Sequence, residues 1–493
     1  MAKNPTSVDS MQAERISRTQ KKFKAAGIQL PKFSELRAPR DYLNEKYSII
    51  KDIEPNAAHP LNLYRLHWYN DEKGNGLATT PAHVVIPKEI AEIDATIIVA
   101  LGRHFPMISA HKVLPAYACL VPRLLKGDFD IDMHRAVWPS TGNYCRGGVA
   151  ISKILGCRST AVLPEGMSAE RFNWLEKWVS HPEDILRTPG TESNVKEIYD
   201  ACHKLSKDPI NVIINQFSEF GNYMAHRYIT GPAIEAIFRS HNPLGQRRAR
   251  AFVAASGSSG TLASGDYLKE KLGTHTCVVE ATECPTLLRN GYGDHNIQGI
   301  GDKHVPLIHN VMGTDFVIGV SDASTDSVNV LLNTAEGRDF LAKTQKLEPS
   351  VLESLAALGL SGISNVIASV KYAKYMNLGK DDVILSVATD GAELYLTELE
   401  HAQKKYFPRG LDSSSIAMSF GQHLLGISTD NLIELSRVEK ERIFNLGYYT
   451  WVEQQGVSVQ DFDARRSQHF WDELMEQVPV LDAKIEEFNN ALH

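Results

Sequence analysis

Short apolar runs rich in β-branched residues alternate with longer helical patterns between residue 61 and residue 400. The runs predict strands at Thr96–Leu101, Ala136–Pro139, Thr160–Leu163, Val212–Asn215, Ala251–Ala255, Thr276–Glu280, Phe316–Val320 and Val383–Ala388. The helical patterns lie at Val113–Leu125, Gly147–Leu155, Glu170–Trp178, Gly231–Arg239, Gly265–Leu272 and Asn365–Met376. Strands that are apolar throughout and separated by helices are typical of buried parallel sheets, so the pattern predicts an α/β fold.

The two ends of the chain have different patterns. The first 60 residues are polar and interrupted by proline, which indicates an N-terminal extension with a helix at Gln12–Ala26. Residues 401–493 contain no strong strand pattern, and Asp430–Phe444 and Gln468–Ala491 have amphipathic helical periodicity. We therefore expect a helical C-terminal tail. Within the body, the polar stretch Pro182–Lys207 contains proline and glycine and predicts a long surface loop.

Composition narrows the class of protein. A chain of 493 residues is too long for one ordinary core, so two or more lobes are expected. Its 52 basic and 59 acidic residues give a net charge of -7, which favours neither a nucleic acid nor an anionic membrane as a partner. The six cysteines form no C-x-x-C pair, and no H-E-x-x-H pattern occurs, so no disulfide framework or zinc site is predicted. The N-terminal segment lacks an apolar signal core, and we expect a cytoplasmic protein.

One predicted strand runs into a loop of small residues that could hold a phosphate. The segment AFVAASGSSGTL places Gly257, Ser258, Ser259, Gly260 and Thr261 between an apolar strand and a helix. Backbone N–H groups at a helix start carry partial positive charge, and glycines let the backbone approach an anion closely. The segment is neither a P-loop nor a G-x-G-x-x-G motif. By itself the segment is more simply explained as a Gly/Ser turn between a strand and a helix.

Two further strands end in polar loops, and a lysine opens a helix. Ser140–Asn143 (STGN) follows one strand, and Thr389 with Asp390 follows another, in the region where α/β proteins bind ligands. Each is also compatible with a helix cap or an Asp-Gly turn. Lys112, in SAHKV, precedes the apolar helix Val113–Leu125. The helix dipole and burial both lower a lysine pKa, and a neutral amine is what Schiff-base chemistry needs, although a solvated surface lysine is the simpler alternative.

Taken in this order, the segments resemble the pyridoxal-phosphate (PLP) enzymes of fold type II, the tryptophan synthase β superfamily. Within it, they are most similar to cysteine synthase and cystathionine β-synthase. The resemblance covers about Leu63 to Leu399 and includes IQGIG (Ile297–Gly301) and SGIS (Ser361–Ser364). It implies two α/β lobes around the cofactor. The lobes are expected as a large PLP-binding lobe (61–112 with 232–400) and a smaller mobile lobe (113–231), flanked by the extension (1–60) and the helical tail (401–493). Family members are usually homodimers.

The resemblance also implies functions for individual residues. Lys112 is expected to be the catalytic Schiff-base lysine. His111 either helps to hold the phosphate or is a structural histidine. The remaining cofactor-binding residues are expected to be Asn143 at the 3′-oxygen, Gly257, Ser258, Ser259, Gly260 and Thr261 at the phosphate, and Thr389 or Asp390 at the pyridine nitrogen. The substrate carboxylate is expected at Ser140, Thr141, Gly142, Asn143 and Gln216.

Two features depart from the family pattern. Asp390 stands where the family usually has Ser or Thr; a carboxylate would keep the pyridine nitrogen protonated and strengthen the electron sink, whereas Thr389 would not. Tyr144, Cys145 and Arg146 stand where smaller residues are common, so the substrate pocket is expected to differ.

The resemblance implies β-elimination or β-replacement on a small L-amino acid of the serine, O-acylserine or cysteine type, with a thiol as second substrate. One alternative is a serine/threonine dehydratase or ammonia-lyase type of elimination without a second substrate. Another is a metabolite-binding protein that keeps the fold and has lost the chemistry.

Overall fold

The computed structural model describes residues 5–492. The remaining residues, 1–4 of the predicted N-terminal extension and His493 of the predicted tail, lie outside the described part. The described residues form eleven strands: β1 His83–Val85, β2 Thr96–Leu101, β3 Arg135–Pro139, β4 Arg158–Pro164, β5 Ile185–Thr188, β6 Asn211–Ile213, β7 Arg248–Ala255, β8 His275–Ala281, β9 Phe316–Val320, β10 Asp382–Ala388 and β11 Leu432–Glu434. Short 3₁₀ and π-helical segments connect some of the elements.

The first half of the chain contains the α-helices α1 Pro5–Ala26, α2 Phe33–Arg37, α3 Pro39–Tyr42, α4 Asn44–Ile50, α5 Lys88–Ala91, α6 Val113–Leu125, α7 Asn143–Leu155, α8 Ala169–Trp178, α9 Val195–Leu205, α10 Phe220–Ala225 and α11 Gly231–Ser240. The second half contains α12 Leu262–Leu272, α13 Thr286–Arg289, α14 Asp322–Asn333, α15 Ala335–Thr344, α16 Pro349–Leu355, α17 Leu360–Tyr375, α18 Leu396–Tyr406, α19 Ser413–Phe420, α20 Arg437–Tyr448, α21 Val459–Ala464 and α22 Gln468–Asn490.

The strands form two sheets. The larger sheet has the order β1-β2-β10-β7-β8-β9-β11, and the smaller has the order β5-β4-β3-β6. All pairs are parallel except the two edge pairs of the larger sheet, β1 with β2 and β11 with β9. All seven residues of β10 are buried, as expected for a central strand covered on both faces. The α/β class with two parallel-type sheets, predicted from the apolar runs, is confirmed.

The strands of the smaller sheet all lie between residues 113 and 231. Those of the larger sheet lie before residue 112 and after residue 232, and β11 extends the larger sheet into the C-terminal region. The carboxyl ends of β2, β3, β7 and β10 lead into the segments with Lys112, Ser140, Gly257 and Thr389. The crossover connections of parallel sheets bring these ends together.

Two predictions of local structure were wrong. Pro182–Lys207 is not a surface loop, because it contains strand β5 and helix α9. On α9, Val195, Ile198 and Cys202 are buried and recur at helical spacing. The C-terminal region is not entirely helical either: the predicted helix Asp430–Phe444 is split into β11 and α20. The antiparallel edge position of β11 needs only three residues, a pattern too short to stand out in the sequence.

The N-terminal extension and the C-terminal region pack against each other. Leu30 and Asn489 exchange hydrogen bonds of 3.0 and 2.8 Å, and the rings of Phe23 and Phe488 meet edge to face. Within residues 5–492, no single helix is both long and apolar enough to cross a membrane. Only the bent pair α16 and α17 meets that test by length and composition, when the two are taken together.

Candidate active site

Lys112 lies directly before α6, and its amine points between two lobes. Nζ is 3.1 Å from the hydroxyl of Ser258 and 3.5 Å from Oε1 of Gln216. Burial disfavours the ammonium form and lowers the pKa of Lys112 to about 8, although Asp302 acts in the opposite direction. A fraction of this amine is therefore neutral at neutral pH, far more than for an ordinary lysine. The sequence resemblance places the Schiff-base lysine at this residue.

The loop between β7 and α12 forms a tight cradle beside that amine. A Cβ on Gly257 would lie 2.8 Å from the carbonyl oxygen of Gly299, and one on Gly260 would lie 2.2 Å from Oδ1 of Asn222. Ser259 adopts a left-handed φ of 64°. The loop ends at the N-terminus of an 11-residue helix, where N–H groups and the helix dipole favour an anion. The geometry fits a phosphate group approaching the backbone closely.

A second loop faces the first from the smaller sheet. Ser140 follows β3, and its hydroxyl accepts a 3.2 Å hydrogen bond from Nε2 of Gln216. Gln216 therefore connects this loop to Lys112. Gly142 has a φ of 150°, and a side chain there would meet Arg171, with 2.6 Å between Cβ and Cδ. The hydroxyl of Thr141 donates to the carboxyl of Glu192. The structure thus brings the predicted substrate loop to the same point as the lysine.

Thr389 and Asp390 face different directions at the end of β10. Thr389 lines a cavity together with Lys112, Gly257, Ser258, Ser259, Thr261, Ser361 and Asn365. The Asp390 carboxylate is buried outside that lining and accepts hydrogen bonds from Asn143 at 2.6 Å and from the Tyr395 hydroxyl at 2.8 Å. Of the two residues considered for the pyridine nitrogen, Thr389 is the one on the cavity side.

His111 occupies an aromatic cluster behind Lys112. Its ring centroid is 5.6 Å from Trp68, 6.5 Å from Phe105 and 5.0 Å from His226. Within the described part of the chain, neither ring nitrogen has a hydrogen-bond partner, and burial lowers its pKa well below the ordinary value. His111 is not among the residues that line the cavity. This placement favours the structural alternative for His111 over a contact with the phosphate.

The structure adds charged residues to the site: Arg146, which the sequence analysis named only as a departure from the family pattern, and Arg171, Glu192 and Asp302, which it did not find. Arg146 donates to Oδ1 of Asn143 at 3.0 Å, and Arg171 lies 3.9 Å from Asp390 and donates to the Tyr395 hydroxyl at 2.9 Å. Burial raises the pKa of Glu192 to about 7, and burial together with Glu192 raises that of Asp302 well above its ordinary value. These residues come from separate segments, so no local motif groups them.

A wider cleft of about 900 Å³ lies elsewhere on the molecule. Its lining is rich in charged side chains, including Lys51, Arg103 and Glu393, and does not include Lys112. Volume alone therefore does not locate the site; the convergence of loops on a buried amine does.

Comparison with known proteins decides the family. The family described as "Pyridoxal-phosphate dependent enzyme" matches residues 103–390, which include Lys112 and all three loops. The chain belongs to this family. The residues fit PLP, because the amine of Lys112 lies within 3.1 Å of a glycine-rich cradle at a helix N-terminus. The cofactor expected from the resemblance is thereby confirmed, and the chain is a PLP-dependent enzyme of the lyase or transferase type.

Individual relatives place this PLP-dependent enzyme within the branch expected from the resemblance. It is 32% identical over 255 residues to cysteine synthase B of Campylobacter jejuni, covering 51% of this chain and 75% of that one. It is 28% identical over 271 residues to cystathionine beta-synthase of Saccharomyces cerevisiae, covering 53% of this chain and 49% of that one.

Solved structures share the fold. The O-acetylserine dependent cystathionine beta-synthase from Helicobacter pylori superposes with a TM-score of 0.52 at 21% identity, covering 65% of this chain and 95% of that one. A hydrogen sulfide-producing enzyme from Fusobacterium nucleatum gives a TM-score of 0.53 at 23% identity, covering 64% of this chain and 97% of that one. The fold type II architecture is confirmed.

Proposed function

We propose that this enzyme catalyses β-replacement on a small L-amino acid of the serine, O-acylserine or cysteine type, with a thiol or sulfide as the second substrate. The observation that carries the proposal is that the phosphate cradle and the substrate loop converge on the amine of Lys112. Its amine contacts Ser258 of the phosphate cradle and lies near Gln216, which in turn binds Ser140 of the substrate loop. The relatives named cysteine synthase and cystathionine beta-synthase support the same chemistry.

PLP would be held by residues that already converge on the amine of Lys112. Lys112 would bind its aldehyde carbon, Gly257–Thr261 its phosphate, Asn143 its 3′-oxygen and Thr389 its pyridine nitrogen. When bound, PLP supplies an electron sink for the charge that develops at the α-carbon of the substrate. A neutral hydroxyl at Thr389 would leave the pyridine nitrogen largely unprotonated, which suits loss of a β-substituent.

The chain's own residues position the substrate and move the proton. Ser140, Thr141 and Gly142 would hold the α-carboxylate, with Gln216 oriented by Ser140. Lys112 would act as the base that removes the α-proton, because its lowered pKa keeps part of the amine neutral. A positioned base of this kind contributes roughly 10²- to 10⁴-fold to the rate.

The alternative function for the same site is elimination without a second substrate. It would release a keto acid and ammonia instead of a thioether or thiol. A metabolite-binding protein without chemistry is set aside, because the chain is a member of an enzyme family and retains a buried lysine with a lowered pKa. The homodimeric state and the two-lobe boundaries stay predictions from the resemblance.

The test is a product assay with purified, PLP-loaded enzyme. L-serine, O-acetyl-L-serine and L-cysteine are supplied in turn, each with and without sulfide or homocysteine. Product that forms only with the thiol supports β-replacement. Pyruvate and ammonia formed at the same rate without a thiol would show elimination, and absence of any product from all three amino acids would overturn the proposal.

A further inference from the structure

Glu192 is a buried acid that faces the substrate loop. It lies between β5 and α9 and is only 2% exposed. One carboxyl oxygen accepts a hydrogen bond from Thr141, and the other, Oε2, is buried and has no partner among the described residues. An unpartnered buried oxygen beside a binding loop is costly, which indicates that it has a partner during function.

The same carboxyl also lies close to the lysine side of the site. The backbone N–H of Gly299 lies near enough to favour the ionised form of this carboxyl without meeting hydrogen-bond geometry, and Gly299 lines the cavity that contains Lys112. Glu192 in turn raises the pKa of Lys112. Glu192 therefore contacts the loop that would hold the substrate carboxylate and is coupled electrostatically to the amine that would take the α-proton. An amino acid bound by both that loop and that amine would have its β-substituent within reach of the Glu192 carboxyl.

The charged groups around Glu192 leave it able to exchange a proton. Burial and Asp390 disfavour its ionised form, whereas Arg171 favours it, and the resulting pKa is about 7. Asp302, Lys112 and Tyr395 are the other titratable groups coupled to it. An acid with a pKa near the working pH can both donate and accept a proton efficiently.

We propose that Glu192 is the catalytic residue that protonates the departing β-substituent, and that the substrate is accordingly a β-hydroxy amino acid of the serine type. This inference rests on the proposed function and names its leaving group. Hydroxide is a poor leaving group and needs a proton donor, whereas acetate and chloride do not.

The proton balance closes over the reaction. The α-proton goes to Lys112, and the electron pair of the Cα–H bond forms the Cα–Cβ double bond. The Cβ–O bond breaks, and the oxygen takes a proton from Glu192 and leaves as water. The incoming thiol gives its proton to the Glu192 carboxylate and forms the Cβ–S bond, and Lys112 returns its proton to Cα. The sum is serine plus thiol giving thioether plus water.

The test compares Glu192→Gln with unmodified PLP-loaded enzyme on L-serine and on β-chloro-L-alanine, with the same thiol. We expect the variant to lose roughly 100-fold in kcat/KM on L-serine and to retain nearly all activity on β-chloro-L-alanine. Its cofactor absorbance should be unchanged. Exposed Glu183 in the same lobe provides the control, because Glu183→Gln makes the same change of charge and should leave both reactions unchanged.

Equal losses on both substrates would overturn the assignment and leave the proposed function standing. So would an unmodified enzyme that uses β-chloro-L-alanine but not L-serine. Failure on every amino acid would overturn the proposed function itself. If Glu192→Gln does not fold, the solvent deuterium isotope effect on kcat of the unmodified enzyme decides: a larger effect for L-serine than for β-chloro-L-alanine supports the proposal, and equal effects contradict it.

Discussion

Nδ2 of Asn143 donates a 2.6 Å hydrogen bond to Oδ2 of Asp390, joining the start of α7 in the smaller sheet's lobe to the end of β10 in the larger sheet. Arg146 donates to Oδ1 of the same amide at 3.0 Å. With one end accepting from a guanidinium and the other donating to a carboxylate, the amide has one orientation. Its second N–H hydrogen would be the one to donate to the 3′-oxygen of PLP. Asp390, the residue that departs from the family pattern, thus orients the residue expected at the 3′-oxygen of PLP.

Replacing Asp390 should weaken PLP binding through Asn143. Asp390→Ala removes the acceptor, and a lost hydrogen bond to a charged group of about 1.5–3 kcal/mol corresponds to an increase of roughly tenfold or more in the PLP Kd. Asp390→Asn retains an acceptor oxygen and should show a smaller effect. The Kd is measured by titrating the apoprotein with PLP and following absorbance.

Exposed Asp381, in the turn before β10, gives the matched control. Asp381→Ala removes the same charge far from Asn143 and should leave the Kd unchanged. An Asp390→Ala variant that binds PLP as tightly as this control would show that Asn143 needs no orientation by Asp390.

The phosphate cradle should not tolerate a side chain at Gly260. Its Cβ would lie 2.2 Å from Oδ1 of Asn222, the residue that donates to Ser258 at 3.1 Å. Gly260→Ala therefore displaces Asn222 and the Ser258 hydroxyl, and we expect a rise of at least about tenfold in the PLP Kd. The control is Gly379→Ala, where a Cβ meets no atom within 4 Å. Equal PLP affinities for the two variants would mean that the cradle adapts to a side chain.

The free energy of unfolding of the apoprotein should fall as the pH rises, because Glu192 loses its proton. Its pKa is raised from 4.5 to about 7, so the folded state binds this proton more tightly than the unfolded state. The resulting stabilisation is complete below about pH 4.5 and is lost as the pH rises through about 7. At about 1.4 kcal/mol per pKa unit, the loss amounts to roughly 3 kcal/mol.

The comparison of unmodified protein with Glu192→Gln isolates this effect, since other buried acids such as Glu280 titrate in both proteins. Between pH 5 and pH 8, the free energy of unfolding measured in urea should decrease more for the unmodified protein. Parallel pH profiles would contradict the protonation assigned to Glu192.

The parts of the fold predicted from sequence are those with a strong local signal. Val113–Leu125 is apolar along its length, and the helix has these bounds. The buried strand Thr96–Leu101 also has the predicted bounds. The edge strands β5 and β11 are three or four residues long and only partly buried, so they lack a continuous apolar run. Helix α9 did carry a signal, the spacing of Val195, Ile198, Tyr199 and Cys202, which the flanking proline and glycine obscured.

The candidate site also contains residues that the sequence predicts and residues that it does not. Its loops were predicted because each follows a strand and has a recognisable composition, and parallel topology then brings them together. Glu192, Arg171 and Asp302 could not be found by that reasoning. Each is a single charged residue in an unremarkable segment, and its importance comes from burial next to residues distant in sequence. Whether Thr389 or Asp390 faces the cavity also depends on side-chain direction at one turn, which composition does not specify.

The most direct test of the account locates the lysine that binds the cofactor. PLP-loaded protein is reduced with borohydride, digested, and analysed by mass spectrometry for a pyridoxyl group on lysine. The account predicts the modification on Lys112, in the peptide containing SAHKV, and none in Lys112→Ala. Modification of a different lysine, or an equal yield from Lys112→Ala, would contradict the assignment of this site.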